Sequence, residues 1–376
     1  MITRSIVENI RKRLTDRKVM VILGPRQVGK TTLFHQLFDE HTNVLWWNGD
    51  ESDVRSALEE TSSARLRALI GNHTILVIDE AQRIDNIGLA AKIIYDSIPG
   101  VKVLLSGSSA FEIKNKTNEP LTGRKWEYQL FPLSFAEMVK HHGLLEEMRM
   151  LEHRMIYGYY PEVVTQTAEA KSILSLITNS YLYKDILMLE NIHKPEKLER
   201  LVQALAFQVG HQVSYNELGQ TCGLDNQTVE KYIDLLEKSF VIFRIPSLSR
   251  NIRNELKKSR KIYFYDNGVR NAVIKQYNPL NLRDDVGALW ENFLVSERMK
   301  YTHYNFHYCN RYFWRTHAQQ EIDYVEDKDG LLSAFEFKWN PKAKAKMPKA
   351  FSTAYPNSEF KTIHRDNFYS FLGIDY

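Results

Sequence analysis

The stretch Val19–Thr31, which reads VMVILGPRQVGKT, decides the fold of this chain. Its first five residues are an uninterrupted apolar run, which is typical of a strand buried on both faces of a parallel sheet. The next eight residues, Gly24–Thr31, match the pattern G-x-x-x-x-G-K-[ST], in which glycines allow a loop to wrap around phosphate groups. A predicted helix, Thr31–Phe38, follows at once and would present its positively polarised end to an anion. This order favours a binding site for a nucleoside triphosphate over a chance match in a surface loop.

The side chains of this loop have separate expected roles. Lys30 is expected to reach the β- and γ-phosphates and to act in catalysis, and the Thr31 hydroxyl is expected to ligate Mg²⁺. The residues expected to bind nucleotide are Gly24, Pro25, Arg26, Gln27, Val28, Gly29, Lys30, Thr31, Thr32 and Ser108.

A second motif, Ile75–Glu80, supplies acidic groups after another apolar run. Asp79 is expected to hold Mg²⁺ through water, and Glu80 is the candidate base that polarises the attacking water. A carboxylate directly after the Mg²⁺ aspartate is typical of ATPases that have an extra strand between the two motif strands. GTPases usually carry N-K-x-D, and the nearest match, Asn115–Asn118, lacks the acid. The sequence therefore predicts ATP and Mg²⁺ as ligands.

Two further polar positions have two interpretations each. Ser108 belongs to the stretch Leu104–Ser109, which ends the next predicted strand. Its small hydroxyl residues could sense the γ-phosphate or orient water, or could form a polar turn that caps a helix. Arg124 could stabilise charge in the transition state, from the same subunit or from a neighbouring one, or could be a solvated loop residue.

Length and composition limit the possible classes of protein. A chain of 376 residues predicts two or three domains, and apolar runs separated by helical patterns predict a parallel α/β sheet. No apolar run approaches the roughly 18 residues of a membrane helix, and the N-terminus lacks the apolar centre of a signal peptide. With only two cysteines, the chain is predicted to be cytoplasmic. A net charge of +4 is too small to indicate a nucleic-acid partner by itself.

Several segments, taken in order, identify a family. They are Gly24–Thr32, Val77–Gln82, Leu105–Ser109, Leu121–Arg124, Leu130–Glu137, Gly158–Glu162, Tyr181–Ile186, Lys261–Gly268, Glu321–Asp323 and Glu336–Lys338. With them the chain resembles a widespread bacterial and archaeal family of AAA+-like ATPases that have a C-terminal domain of unknown function. The resemblance implies an α/β P-loop ATPase domain, a winged helix and a small α/β domain similar to PD-(D/E)xK nucleases. The predicted division is a P-loop core at 1–135, a helical region at 136–205, a winged-helix module at 206–275 and a nuclease-like domain at 276–376.

The winged-helix prediction also follows from local patterns. Ser214 and Glu217 form a capping pattern before one helix, and Asn226–Ser239 has apolar residues at helical spacing. A basic cluster follows, and phosphates would be its natural partners: Arg250, Arg253, Lys257, Lys258, Arg260 and Lys261. The second helix is rich in acidic residues, however, so the module could instead pack on the ATPase core with its charges solvated. A nucleic acid and a protein are thus both possible partners.

Four residues near the C-terminus form a candidate second metal site: Glu291, Asp323, Glu336 and Lys338. Glu336 and Lys338 share a face of a predicted strand, and pairing across a hairpin can bring Asp323 beside them. Carboxylates can bind Mg²⁺, and a lysine can position water. The alternative is a set of salt bridges on a small mixed sheet.

Three functions are consistent with these patterns. The favoured one is Mg²⁺-dependent ATP hydrolysis coupled to the binding of a nucleic acid or protein. The second is a nucleotide-gated regulatory switch with slow turnover. The third is a metal-dependent nuclease that ATP regulates.

Overall fold

The computed structural model describes residues 1–38, 43–59, 61–108, 116–182, 195–249, 260–316 and 318–375. The predicted residues Arg250, Arg253, Lys257 and Lys258 lie outside these ranges. The chain divides into two compact units, one formed by Met1–Leu133 with Lys238–Phe240 and the other by Ser134–Glu237 with Val241–Tyr376.

The first unit contains one parallel sheet of five strands. The strands are β1 (Val19–Leu23), β2 (Val44–Asn48), β3 (Ile75–Asp79), β4 (Lys102–Gly107) and β5 (Lys125–Gln129), and their order across the sheet is β2-β3-β4-β1-β5. Its helices are Val7–Arg11, Lys30–Phe38, Ser52–Glu59, Ser63–Ile70 and Ile87–Ser97, with a 3₁₀ turn at Ala81–Arg83.

The burial of the strands agrees with their order in the sheet. Every residue of β1 and β4 is buried, because both strands lie inside the sheet with neighbours on either side. β4 lies between β1 and β3, which confirms the extra strand predicted from the Asp79-Glu80 pair. The apolar runs predicted as β1 to β4 are all strands, whereas β5 was not predicted because its polar residues alternate with Trp126 and Tyr128 at the sheet edge.

The second unit is mainly helical around two small sheets. Its helices are Phe135–His142, Leu144–Arg149, Leu151–Tyr157, Pro161–Thr165, Ala170–Leu176, Pro195–Phe207, Tyr215–Cys222, Asn226–Lys238, Asn267–Val273, Val286–Tyr304, Lys349–Ala354 and Phe368–Phe371. A π-helical turn spans Ile177–Leu182, and 3₁₀ turns span Thr167–Glu169 and Leu280–Leu282. Within the described ranges, no helix combines the length and the apolar character that crossing a bilayer would need.

The two sheets of this unit are antiparallel or mixed. β6 (Gln212–Val213), β7 (Ile242–Pro246) and β8 (Arg260–Phe264) form a sheet in the order β6-β8-β7. β9 (Asn310–Arg315), β10 (Glu321–Lys328), β11 (Leu331–Phe337) and β12 (Glu359–Ile363) form the other, in the order β12-β11-β10-β9. The predicted hairpin between β10 and β11 is confirmed, with Tyr324 opposite Phe335.

Candidate nucleotide-binding site and carboxylate cluster

The loop between β1 and the helix Lys30–Phe38 contains two residues in the left-handed region, Gln27 (φ 61°) and Gly29 (φ 90°). Alternation of right- and left-handed residues turns successive N–H groups to one side and forms a concave anion site. Gly24 has a different role, because a Cβ atom there would lie 2.2 Å from the carbonyl oxygen of Leu130. One glycine of the motif therefore shapes the loop, and the other allows close packing beneath it.

Lys30 is the first residue of the helix that follows this loop, and it is 6% exposed. Its ammonium group donates to the carbonyl oxygens of Gly24, at 3.0 Å, and Pro25, at 2.9 Å. The positive charge is thus held where the motif predicts phosphates.

The side chain of Asp79, the last residue of β3, contacts polar groups from the phosphate loop, from the residue that follows β3 and from β4. Its Oδ2 accepts a hydrogen bond from the Thr31 hydroxyl at 2.5 Å. Its Oδ1 accepts from the backbone N–H of Glu80, at 3.0 Å, and from the hydroxyl of the buried Ser106. Hydroxyl and carboxylate oxygens are the ligands that Mg²⁺ prefers, so the Thr31 and Asp79 oxygens fit a magnesium ion beside the phosphate loop.

Glu80 follows Asp79 in a left-handed conformation, with φ 48°. Such a conformation is uncommon for a residue other than glycine, and it turns the chain out of β3 into the 3₁₀ turn Ala81–Arg83. The Glu80 carboxylate accepts a hydrogen bond from the side-chain amide of Gln82 at 2.6 Å, and the same amide contacts the Ser108 hydroxyl at 3.0 Å. Ser108 and Glu80 are thereby linked through one side chain.

Arg124 lies at the opposite edge of the sheet. Its backbone carbonyl accepts a hydrogen bond from the N–H of Val19, the first residue of β1. The phosphate loop begins after Leu23, at the other end of the same strand. Five strand residues span about 15 Å. The guanidinium group pairs with Asp96 at 3.1 Å. This position does not support a role in the site of the same subunit, and a role in a neighbouring subunit's site stays a prediction.

The second unit brings the four predicted C-terminal residues into one cluster with two further charges. Lys338 pairs with Glu336 at 2.8 Å, and the Asp323 carboxylate accepts from the backbone N–H of Phe337 at 2.8 Å. Glu291 accepts from the Tyr263 hydroxyl at 2.6 Å and from Lys261 at 2.9 Å. The charges that the sequence did not place here are Lys261 and Glu321, which pair at 2.6 Å.

Burial and mutual repulsion change the titration of this cluster. Burial raises the pKa of Glu291 to about 7, although Lys261 opposes the shift. Burial also raises the pKa of Asp323, and burial together with Asp323 raises the pKa of Glu336. The pKa of Lys261 is raised, because Glu291, Asp323 and Glu321 together outweigh the effect of its burial.

Lys261 was wrongly predicted as part of a basic surface for nucleic acid. Its side chain is 1% exposed, and its ammonium group faces carboxylates. Strand alternation explains this, because Lys261 and Tyr263 share one face of β8, and both reach Glu291. Arg260 points to the other face, where it donates to the Tyr215 hydroxyl at 2.9 Å and lies 3.8 Å from Glu230.

Comparison with protein families assigns the first unit. Residues 16–139 match the family model described as the AAA domain. The chain carries a P-loop ATPase domain. Residues 148–280 match a domain of unknown function (DUF8612), and residues 286–369 match another (DUF4143). The three matches account for most of the chain, but only the ATPase domain has an assigned chemistry.

Two relatives that align with most of the chain are both described as uncharacterized proteins. The chain is 25% identical over 342 residues to one from Mycobacterium tuberculosis, covering 89% of this chain and 73% of that protein. It is 22% identical over 384 residues to one from Methanocaldococcus jannaschii, covering 96% of this chain and 83% of that protein. Among solved structures, a Walker-type ATPase of Pyrococcus abyssi is similar with a TM-score of 0.53 and 14% identity, over 73% of this chain and 96% of that one. At this identity the likeness shows the fold.

Two polar contacts of the ATPase domain, Ser106 with Asp79 and Gln82 with Ser108, were not predicted from the sequence. Ser106 and Gln82 are each separated in sequence from the groups that they contact, Asp79 and Ser108. A signal was present for both, since Ser106 follows the apolar run of β4 and Gln82 falls in the segment Val77–Gln82 that carries the family resemblance.

Gln82→Ala is expected to lower kcat about tenfold while changing the affinity for ATP less than threefold, in line with the typical cost of losing an orienting partner. The reason is that Glu80 loses the donor that holds its carboxylate, whereas Lys30 keeps its position in the loop. Phosphate release and calorimetric ATP titration measure the two effects. Gln36→Ala is the matched control, because Gln36 donates to Ile2 elsewhere in the same unit. Equal loss of kcat in both variants would indicate a general effect on stability.

Proposed function

We propose that this protein binds Mg²⁺–ATP at the loop Gly24–Thr31, hydrolyses it, and couples its nucleotide state to the binding of a protein or a nucleic acid. The observation that carries the proposal is the Asp79 carboxylate, which contacts Thr31 from the loop, Ser106 from β4 and the N–H of Glu80. Three segments that are distant in sequence therefore meet where hydrolysis requires a metal ligand and a base side by side.

Each side chain has one task in this mechanism. Lys30 neutralises charge on the phosphates, and its own position is fixed by two backbone carbonyls. Thr31 and Asp79 would hold Mg²⁺, which supplies charge neutralisation when it is bound. Glu80 accepts the proton of the attacking water, and Gln82 holds the Glu80 carboxylate.

A sensing role is proposed for Ser108 through the same chain of contacts. The Ser108 hydroxyl contacts Gln82, which in turn contacts Glu80. A phosphate group that competes for Ser108 would therefore alter the position of the base. This supports the γ-phosphate interpretation of Ser108 over that of a polar turn.

Multiple-turnover assays test the proposal. Wild-type protein is expected to release many phosphates per chain in Mg²⁺ and none in EDTA. Asp79→Asn should lower kcat at least about 100-fold, because the carboxylate that would hold the metal is lost. A single turnover with product retained would instead favour the nucleotide-gated switch.

A winged helix is proposed for the middle of the chain. Its support is the order helix Pro195–Phe207, β6, two helices, β7 and β8, with β8 between β6 and β7 in the sheet. The predicted capped helix is present as Tyr215–Cys222, and the Ser214 side chain accepts from Glu217 at its start. The following helix, Asn226–Lys238, is the one that would enter a groove of DNA, and its acidic residues disfavour that role.

A nucleic-acid partner stays a prediction. Of the six basic residues on which it was based, Lys261 is buried in ion pairs and Arg260 is half-buried against Tyr215. The remaining four lie outside the described residues. A protein partner is equally compatible with the coupling proposed for the ATPase domain.

A further inference from the structure

The carboxylate cluster of the second unit consists of Glu291, Glu321, Asp323 and Glu336 with Lys261 and Lys338. A nuclease-like centre would need such carboxylates to be open to a metal ion. The ammonium group of Lys261 lies 2.9 Å from Glu291, 2.6 Å from Glu321 and 4.0 Å from Asp323. It thus occupies the space between three of the four carboxylates, where a divalent cation would have to sit.

Groups other than Lys261 also hydrogen-bond or pair with these carboxylates. Glu291 accepts from the Tyr263 hydroxyl, and Glu321 lies 3.5 Å from the guanidinium group of Arg315. The second oxygen of Asp323 accepts from the N–H of Phe337, and Glu336 pairs with Lys338. Each acidic group in the cluster therefore already has a cationic or hydrogen-bonding partner from the chain.

The spacing of the carboxylates agrees with this. Among the described residues, only His307, Cys309 and Glu326 bring three potential ligand atoms within 4.8 Å of one another. The four carboxylates of the cluster, Glu291, Glu321, Asp323 and Glu336, do not converge in this way. The donor set as folded therefore does not fit a divalent metal ion.

The position of Lys261 is built into the fold. It lies on β8, paired with Gln212 of β6 and Ile245 of β7, so its backbone is fixed on both sides. The helix Val286–Tyr304 is held to the same strand by Asn292, whose side chain accepts from the N–H of Phe264 and donates to the carbonyl oxygen of Phe264. This places Glu291 beside Lys261. The lysine comes from the region that matches one family model, and the carboxylates come from the region that matches another.

We propose that Lys261 is a resident cation that takes the place of a divalent metal ion, so that the cluster holds no Mg²⁺ or Mn²⁺ and removal of the lysine converts it into a metal site. The physical reason is charge balance. Lys261 and Lys338 lie among the four carboxylates, and a divalent ion could enter only against the repulsion of the Lys261 ammonium group, whose side chain is almost fully buried. Without Lys261, the carboxylates lose one counter-charge, and a hard cation would supply it.

The test is Mn²⁺ binding to the full, nucleotide-free chain, followed by the electron paramagnetic resonance signal of free Mn²⁺. Wild type, Lys261→Met and Lys261→Gln are compared, each with and without Asp323→Asn. Comparison with the matching Asp323→Asn variant distinguishes binding by the cluster from binding at Thr31 and Asp79 in the ATPase domain. Only Mn²⁺ binding that is lost in Asp323→Asn belongs to the cluster. Lys261→Gln keeps a hydrogen-bond donor, so it provides the comparison if Lys261→Met does not fold.

Wild type should show no Mn²⁺ binding that depends on Asp323. The lysine-free variants should gain one such site, at least about tenfold tighter than any in wild type. Binding by wild type that is lost in Asp323→Asn would overturn the proposal, and that comparison needs no Lys261 variant. Folded Lys261 variants that bind no more Mn²⁺ than wild type would overturn it as well.

Discussion

Lys30→Met is expected to weaken ATP binding at least about 100-fold. A charge-assisted hydrogen bond contributes roughly 1.5–3 kcal/mol, and the loss of the contacts to two phosphates should cost at least ~2.7 kcal/mol. Methionine keeps the length of the buried stem, so the packing of the loop is retained while the charge is removed. Calorimetric titration with ATP and Mg²⁺ measures the ratio of dissociation constants.

The control for this variant is Lys125→Met. Lys125 is the first residue of β5, at the edge of the sheet away from the phosphate loop, and it pairs with Glu127 at 3.4 Å. Lys125→Met removes the same ammonium group as Lys30→Met but at a position away from the phosphate loop. We therefore expect ATP affinity to stay within about twofold of wild type. Unchanged affinity in Lys30→Met would show that the loop is not the nucleotide site.

Glu80→Gln is expected to leave ATP affinity nearly unchanged and to lower kcat by about 100- to 10,000-fold, the usual contribution of a general base. The amide matches the carboxylate in size and can still contact Gln82, but it cannot accept a proton from water. Kinetics of phosphate release at saturating ATP measure kcat, and calorimetry measures affinity.

Glu8→Gln is the matched control for the loss of one negative charge. Glu8 lies on the surface helix Val7–Arg11 and pairs with Arg11 in solvent, so its replacement should have no measurable effect on turnover. Normal hydrolysis by Glu80→Gln would remove Glu80 from the mechanism. Loss of ATP binding in the same variant would mean that the residue shapes the site and is not its base.

Much of the ATPase domain could be predicted from sequence because its signals are local. The apolar runs of β1, β3 and β4 lie next to the residues that act, so strand, turn and functional group are neighbours along the chain. Backbone conformation at Gly29 and the order Asp79-Glu80 are likewise properties of a few consecutive residues. The second carboxylate, Glu80, predicted one feature of the sheet order, the strand between β1 and β3.

The contacts of Ser106 and Gln82 could not be predicted in this way. Ser106 is 27 positions from Asp79, and Gln82 is 26 positions from Ser108. Only the parallel register of β3 and β4 brings the ends of these strands together. Arg124 shows the same limit. It precedes β5, and only the parallel pairing of β5 with β1 places it at the end of the strands that is away from the phosphate loop.

Lys261 shows which properties of a residue the sequence determines and which depend on tertiary structure. Along the chain it is one of a series of basic residues, and charge alone predicts a solvated surface. In the fold, alternate residues of β8 point to opposite faces of the strand. The helix Val286–Tyr304 and β10 pack against the face that carries Lys261 and place carboxylates next to its ammonium group. The sequence by itself determined which groups carry charge, whereas only the tertiary structure decided which charges are removed from water, because burial and ion pairing depend on neighbours that are distant in sequence.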